Sequence, residues 1–146
     1  MFSPGSILYF TPFYFQNNQF KNKYMIVLGS DHDDLVVASL PTSHNHIPDN
    51  LEKKHGCINN DSMRVNCYLF EGHRIISDTG FSFPKDTFVY GEQVQSLSLK
   101  RLKETYPHEG INYFKLGNII SDEFEALKLC LSLSGNIKNK VRKYLK

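Results

Sequence analysis

The residues of this chain best suited to chemistry on a phosphodiester lie in three short stretches near its start. Lys21 and Lys23 lead into the apolar run Tyr24-Met25-Ile26-Val27-Leu28. A second apolar run, Leu35-Val36-Val37-Ala38-Ser39-Leu40, leads into Pro41-Thr42-Ser43, and His44 and His46 follow at once. This layout can put a lysine ammonium and a hydroxyl in one groove. Side chains two apart on an extended chain share a face, so Thr42, His44 and His46 would point into that groove together. Imidazole titrates nearest neutrality and can carry protons, while a fixed cation and a hydroxyl donor can stabilise charge on phosphate oxygens. Read singly, the same residues describe a turn-capping threonine, solvated hairpin lysines and exposed loop histidines. The register leaves open whether Lys21 or Lys23 is the functional cation.

The elements that must position them read mainly as strands. Ile7 to Phe15 is aromatic and β-branched, and Pro12 inside it predicts an edge, a bulge or a bend. Gln16 to Gln19 is a polar turn, Tyr24 to Leu28 a buried strand, Ser30 to Asp34 a turn and Leu35 to Leu40 the next buried strand. Residues 41 to 62 show no sustained period and read as a long loop, a feature that is often functional. Met63 to Phe70 reads as a strand, with His73 to Ile76 able to pair with it across Glu71-Gly72. Asp78-Thr79-Gly80 is a turn, and Thr87 to Tyr90 and Gln93 to Leu97 are short strands. Leu99 to Thr105 makes one or two helical turns, stopped by Pro107. Ser121 is the expected N-cap of a helix with Asp122 and Glu123 in its first turn and Gly135 as its stop. Ile137, Val141 and Leu145 are four apart and predict a second short helix. The expected whole is a small antiparallel β-barrel or curled sheet closed by a C-terminal helix.

With 146 residues and 40% apolar composition, the chain fits one domain, 1–146, with a longer insertion at about 43–80. The net charge of +2 is too small to establish a nucleic-acid partner. The last eleven residues, within a basic tail at 136–146, carry Lys138, Lys140, Arg142, Lys143 and Lys146 and no acid, so they suit either phosphates or a solvated face. No apolar run approaches a membrane span, and the start lacks a charged segment followed by a long apolar one. Cys57, Cys67 and Cys130 are an odd count with no disulfide framework, and Cys67 and Cys130 sit in apolar settings that suit core thiols. The expectation is a cytoplasmic protein in a reducing compartment. His44, His46, His55, Cys57, Cys67 and His73 are zinc-type ligands, but no Cys-x2-Cys pair or finger spacing is present, so no metal and no cofactor are expected.

Taken in order, these segments resemble the MazF/PemK family of toxin endoribonucleases, the toxin halves of type II toxin–antitoxin pairs. The resemblance rests on Gly5-Ser6-Ile7-Leu8-Tyr9-Phe10, Lys23-Tyr24-Met25-Ile26-Val27-Leu28 and Leu40-Pro41-Thr42-Ser43. It continues through Phe83-Pro84-Lys85-Asp86-Thr87-Phe88-Val89, Glu92-Gln93-Val94-Gln95-Ser96-Leu97, Leu99-Lys100-Arg101-Leu102 and Ser121-Asp122-Glu123-Phe124-Glu125-Ala126-Leu127. It departs where the family has an arginine and a proline, here Lys23 and Tyr24, and in its longer stretch between Thr42 and Phe83. The resemblance implies an SH3-like (PemK/CcdB-type) barrel, a homodimer and an antitoxin peptide partner. It also implies metal-independent cleavage of single-stranded RNA by attack of the 2′-hydroxyl on the adjacent phosphorus. Thr42 matches the catalytic threonine, Lys23 replaces the catalytic arginine as a point charge rather than a planar fork, and His44 is a candidate proton carrier. Lys21, Phe20, Ser43, His46 and Lys85 are candidate RNA contacts, Phe20 by stacking on a base. The lysine substitution leaves a second reading, a catalytically degenerate barrel that binds RNA or protein.

Overall fold

Two adjacent runs that are apolar on both faces organise the fold. A computed structural model describes residues 2–15, 17–40 and 47–145. In it, β1 (Ser6–Tyr14), β2 (Phe20–Ser30) and β3 (Asp34–Ser39) form an antiparallel meander. β3 carries β7 (Val94–Ser98) on its far edge and β1 carries β8 (Tyr113–Asn118), giving a five-stranded sheet in the order β7-β3-β2-β1-β8. β4 (Gly56–Asn60), β5 (Val65–Phe70) and β6 (Thr87–Tyr90) form a second antiparallel sheet in that order. Two helices cover these sheets, α1 (Leu99–Thr105) and α2 (Ser121–Ser132), and α3 (Asn139–Arg142) runs into a 3-10 turn, Lys143–Leu145. The mainly β, antiparallel architecture with a helical C-terminus matches the reading of the sequence. Among the described residues the strands make two separate sheets.

Alternation along each strand assigns the core. Ile7, Ile26, Leu28, Val36 and Ala38 face the second sheet's Tyr68, Phe70 and Val89 and the α2 residues Leu127, Cys130 and Leu131. Leu8, Phe10, Met25, Val27, Leu35 and Val37 face the opposite way, under Leu102 and Tyr106 at the α1 end and Tyr113 of β8. A strand buried on both faces reads as a continuous apolar run, as β2 and β3 do. Ile58, Cys67, Leu69, Phe88 and Tyr90 form a third cluster with Ile47 on the outer face of the second sheet.

Of the edge, bulge or bend expected at Pro12, the structure has a bulge-type irregularity: β1 lies between β2 and β8, and its register with β2 shifts between Phe10 and Phe13. Several other expectations need correcting. The stretch read as a loop to residue 62 contains β4, whose one fully apolar anchor, Ile58, gives too little period to detect. His73 to Ile76 does not pair with β5; His73 takes a positive φ of 65° and its N–H donates to Phe83 O, turning the chain away. Ser121 is the first helical residue of α2, and Ile120 holds the cap position without a side-chain bond. The basic tail is docked: Ile137, Val141 and Leu145 are buried in the core, and Arg142 donates to Ser132 O and Ser134 O at the end of α2. Cys130 is not a core thiol, because it is disulfide-bonded to Cys57 and ties α2 to β4. Cys67 alone remains a buried thiol, and burial pushes its pKa up to about 11.

Phe10 is fully buried and packs edge-on against Phe13 and Tyr106. Phe10→Ala should lower the unfolding free energy by about 3–5 kcal/mol in denaturant titration. A loss of under about 1 kcal/mol would contradict this packing.

Candidate functional site

The sheet face under α1 is not covered along its whole length. Beyond Tyr106 the cover ends, and a groove of about 880 Å3 opens. Its floor is built from one face of three neighbouring strands: Lys23 of β2, Ser39 at the end of β3, and Gln95 and Leu97 of β7. The registers that align them are Met25 opposite Ser39 and Val37 opposite Gln95. One wall is the tip of the β1–β2 hairpin, with Phe13, Tyr14 and Phe15. The other is the end of α1, with Arg101, Thr105 and Tyr106, and Glu92 and Gln93 close one end. Ser98 caps α1 by accepting from Arg101 N–H at 3.3 Å, which fixes the start of the helix that carries the Arg101 guanidinium.

The hairpin tip is held by its own aromatic packing. The Phe13 ring stacks on Tyr106 at 5.5 Å and 12°, and Tyr14 lies over the same ring at 6.3 Å. Tyr14 N–H donates to the Tyr106 hydroxyl at 2.8 Å, tying β1 to the end of α1 across the groove. At the outer edge of this cluster Tyr14 is 53% exposed, and Phe20 beside it is 66% exposed, with ring centroids 6.0 Å apart. Exposed aromatic rings beside cations are what a splayed base and its phosphate require.

Lys23 is the electrostatic centre. Its Nζ stands 5.6 Å from the Phe15 ring centroid, and Lys21 Nζ stands 5.8 Å from the same centroid. Burial, and then the Lys21 charge, lower the Lys23 pKa from the ordinary 10.5. The ammonium is thus partly stripped of water and held by a ring face, without a salt-bridge partner among the described residues. A cation in that condition gains more than a solvated one when an anion arrives.

The structure brings some of the expected site residues together and not others. Lys23 lines the groove; Lys21 and Phe20 do not line it, Lys21 lying over the Phe15 ring and Phe20 beside Tyr14 on the same hairpin. Lys85 is elsewhere, lining a shallow depression with Lys53, His73 and Asp86. Thr42, Ser43, His44 and His46 lie outside the described residues; the chain leaves β3 at Leu40, whose N–H donates to Tyr24 O at 3.2 Å, next in sequence to Lys23. Arg101, Tyr106 and Gln95 were not singled out from sequence. Their signal was Gln95 and Leu97, two apart on one face of β7, and the Ser98 cap three residues before Arg101.

His55, a zinc-type ligand in the sequence, has both ring nitrogens engaged. Its Nε2 bonds Glu123 Oε1, and its Nδ1 accepts from Glu71 N–H at 3.1 Å. Cys57 is consumed by its disulfide, so neither is available to a metal.

No protein-family model matches the chain, and comparison with curated proteins and with solved structures returns no match.

The lowered Lys23 pKa fixes the sign of two effects. Between that value and 10.5 the unfolded chain binds more protons than the folded one, so this group makes stability rise with pH in that window. Below it, the charged Lys23 costs stability, and Lys23→Met should unfold at a higher temperature than the wild type. RNA affinity, if it depends on this ammonium, should fall as pH rises through the lowered value. Lys23→Arg, charged throughout, should remove that alkaline loss in a fluorescence-anisotropy titration.

Proposed function

We propose that this chain is a divergent MazF/PemK-like endoribonuclease acting on single-stranded RNA without a metal. The observation that carries the reading is the partly desolvated Lys23 ammonium on the floor of a groove walled by the half-buried Phe13 and Phe15, the exposed Tyr14 and a second cation, Arg101. Phosphate affinity is set by such cations, and unpaired bases stack on such rings. Ser39 on that floor is three residues before Thr42 in the sequence, which supports pairing Lys23 with Thr42 in this reading.

In this account Thr42 donates to a non-bridging phosphate oxygen and Lys23 offsets the charge that develops there. The substrate 2′-hydroxyl attacks phosphorus, its proton leaves to a base such as His44, and the 5′-oxygen departs with a proton. The products are a 2′,3′-cyclic phosphate and a free 5′-hydroxyl. Ser43 and His46 would contact RNA from the same segment; the position of Lys85 in a separate depression removes the support for its part in this groove. The remaining parts of the proposal are a small SH3-like (PemK/CcdB-type) fold, a homodimer, an antitoxin peptide partner and a cytoplasmic site of action. No helix among the described residues is long and apolar enough to cross a membrane.

One observation favours a second reading. A lysine held by burial and a ring face offers one charge and no bidentate fork, so the groove can bind RNA without accelerating its cleavage. Incubation of the protein in EDTA with a mixed-sequence single-stranded RNA separates the two. The nuclease reading predicts discrete fragments ending in cyclic phosphate, absent with Thr42→Ala. Binding without any fragments would leave the degenerate RNA-binding barrel, and Lys23→Met should then weaken binding by about tenfold. Neither cleavage nor binding would overturn both.

A further inference from the structure

The segment that returns from the 41–46 stretch to the second sheet is held by few contacts of its own. Over residues 47–60 the side chains set into the core are Ile47 and Ile58, each 6% exposed, with Leu51 half-buried beside them. The rest is Pro, Asp, Asn, Glu, Lys, His, Gly and Cys57. β4 is an edge strand, hydrogen-bonded on its β5 side alone. Besides that ladder with β5, a two-point clamp on α2 fixes this segment to the body of the protein. Glu123, Leu127 and Cys130 lie at helical spacing on the face of α2 that meets β4 and β5. Glu123 grips His55, Cys130 is bonded to Cys57, and His55 and Cys57 flank Gly56, whose positive φ of 110° turns the chain into β4. Tyr68, opposite Cys57 in the sheet, also bonds Glu123.

We propose that the Cys57–Cys130 disulfide is a redox-operated latch that holds residues 47–60, and so the downstream end of the β3–β4 connection, against α2. Cys57 is exposed, whereas Cys130 is 1% exposed, so solvent thiols reach the bond from the Cys57 side. A thiolate of a small dithiol attacks Cys57 Sγ, forming a mixed disulfide, and the Cys130 sulfur leaves as a thiolate and takes a proton. The second thiol closes a cyclic disulfide and releases Cys57, which is protonated in turn. Two electrons and two protons pass from the dithiol to the protein. Cys67 does not compete as a partner: it is fully buried and pairs with Ile58, on the opposite face of the sheet from Cys57. A disulfide in a protein of a reducing compartment is generally transient or redox-sensing, so the latch rests on the cytoplasmic site of action proposed above. It does not depend on what the groove binds.

Hydrogen exchange on the full-length chain, oxidised and after reduction with dithiothreitol, tests the latch without RNA. Denaturing alkylation of the oxidised protein should first label Cys67 alone; labelling of all three cysteines would mean that the bond does not form and would overturn the proposal. On reduction, amides of residues 47–60 should exchange roughly thirtyfold faster or more, while those of Met25 to Leu28 and Leu35 to Ser39 stay unchanged. Cys57→Ser should exchange like the reduced wild type and ignore dithiothreitol. Equal exchange in both redox states would overturn the latch. So would equal acceleration in β2 and β3, which would make the bond a general staple.

Discussion

Burial of the five-stranded sheet on both faces is the constraint on which the rest of the molecule depends. The central runs Met25 to Leu28 of β2 and Leu35 to Ala38 of β3 are apolar and buried at every position, so neither face can be left to water there. One face is covered by the second sheet and α2, the other by α1 and its aromatic neighbours. α1 is only Leu99–Thr105 and cannot cover its face to the end. Where the cover stops, the floor turns polar, with Lys23, Ser39 and Gln95 in place of aliphatic side chains. The groove is therefore a consequence of incomplete cover, and its polar floor is the sequence's adjustment to that.

The same geometry accounts for the state of Lys23. It pairs with Phe10 across β1 and β2, at the border between the aromatic core and the open floor. A lysine at that border keeps its stem on apolar surface and its head only partly in water. Burial lowers the pKa, and the nearby Lys21 lowers it further. Two like charges around one ring are unfavourable in the free protein and favourable once a polyanion lies between them, which is the signature of a binding site more than of a structural contact.

Much of this was legible in the sequence. The long apolar runs identified β2 and β3 because two-sided burial leaves a strong local signal. The Asp-rich turn between them works as expected, with Asp31 Oδ1 accepting from Asp33 and Asp34 N–H. β6, β7, α1 and α2 were also legible, from turn residues, alternation and spacing. The missed strands were those whose partners supply the stability: β4 holds one core residue, and β8, with Phe114 and Lys115 exposed and Gly117 inside it, has no clean alternation. The disulfide was hidden because 73 residues separate its cysteines and pairing is a tertiary event. The groove was half legible. Lys23 could be named from its position before an apolar run, whereas Arg101 and Tyr106 join it only through the packing of α1 on the sheet.

The central claim is that single-stranded RNA lies in the groove floored by Lys23 and walled by the β1–β2 hairpin and α1. Chemical-shift mapping of isotope-labelled protein during titration with a short single-stranded RNA tests it most directly. The account predicts perturbations concentrated at Tyr14, Phe15, Lys23, Gln95, Ser96 and Arg101, fading as salt is added. Perturbations centred on the depression around Lys53, His73 and Lys85, or none at all from a folded protein, would contradict it.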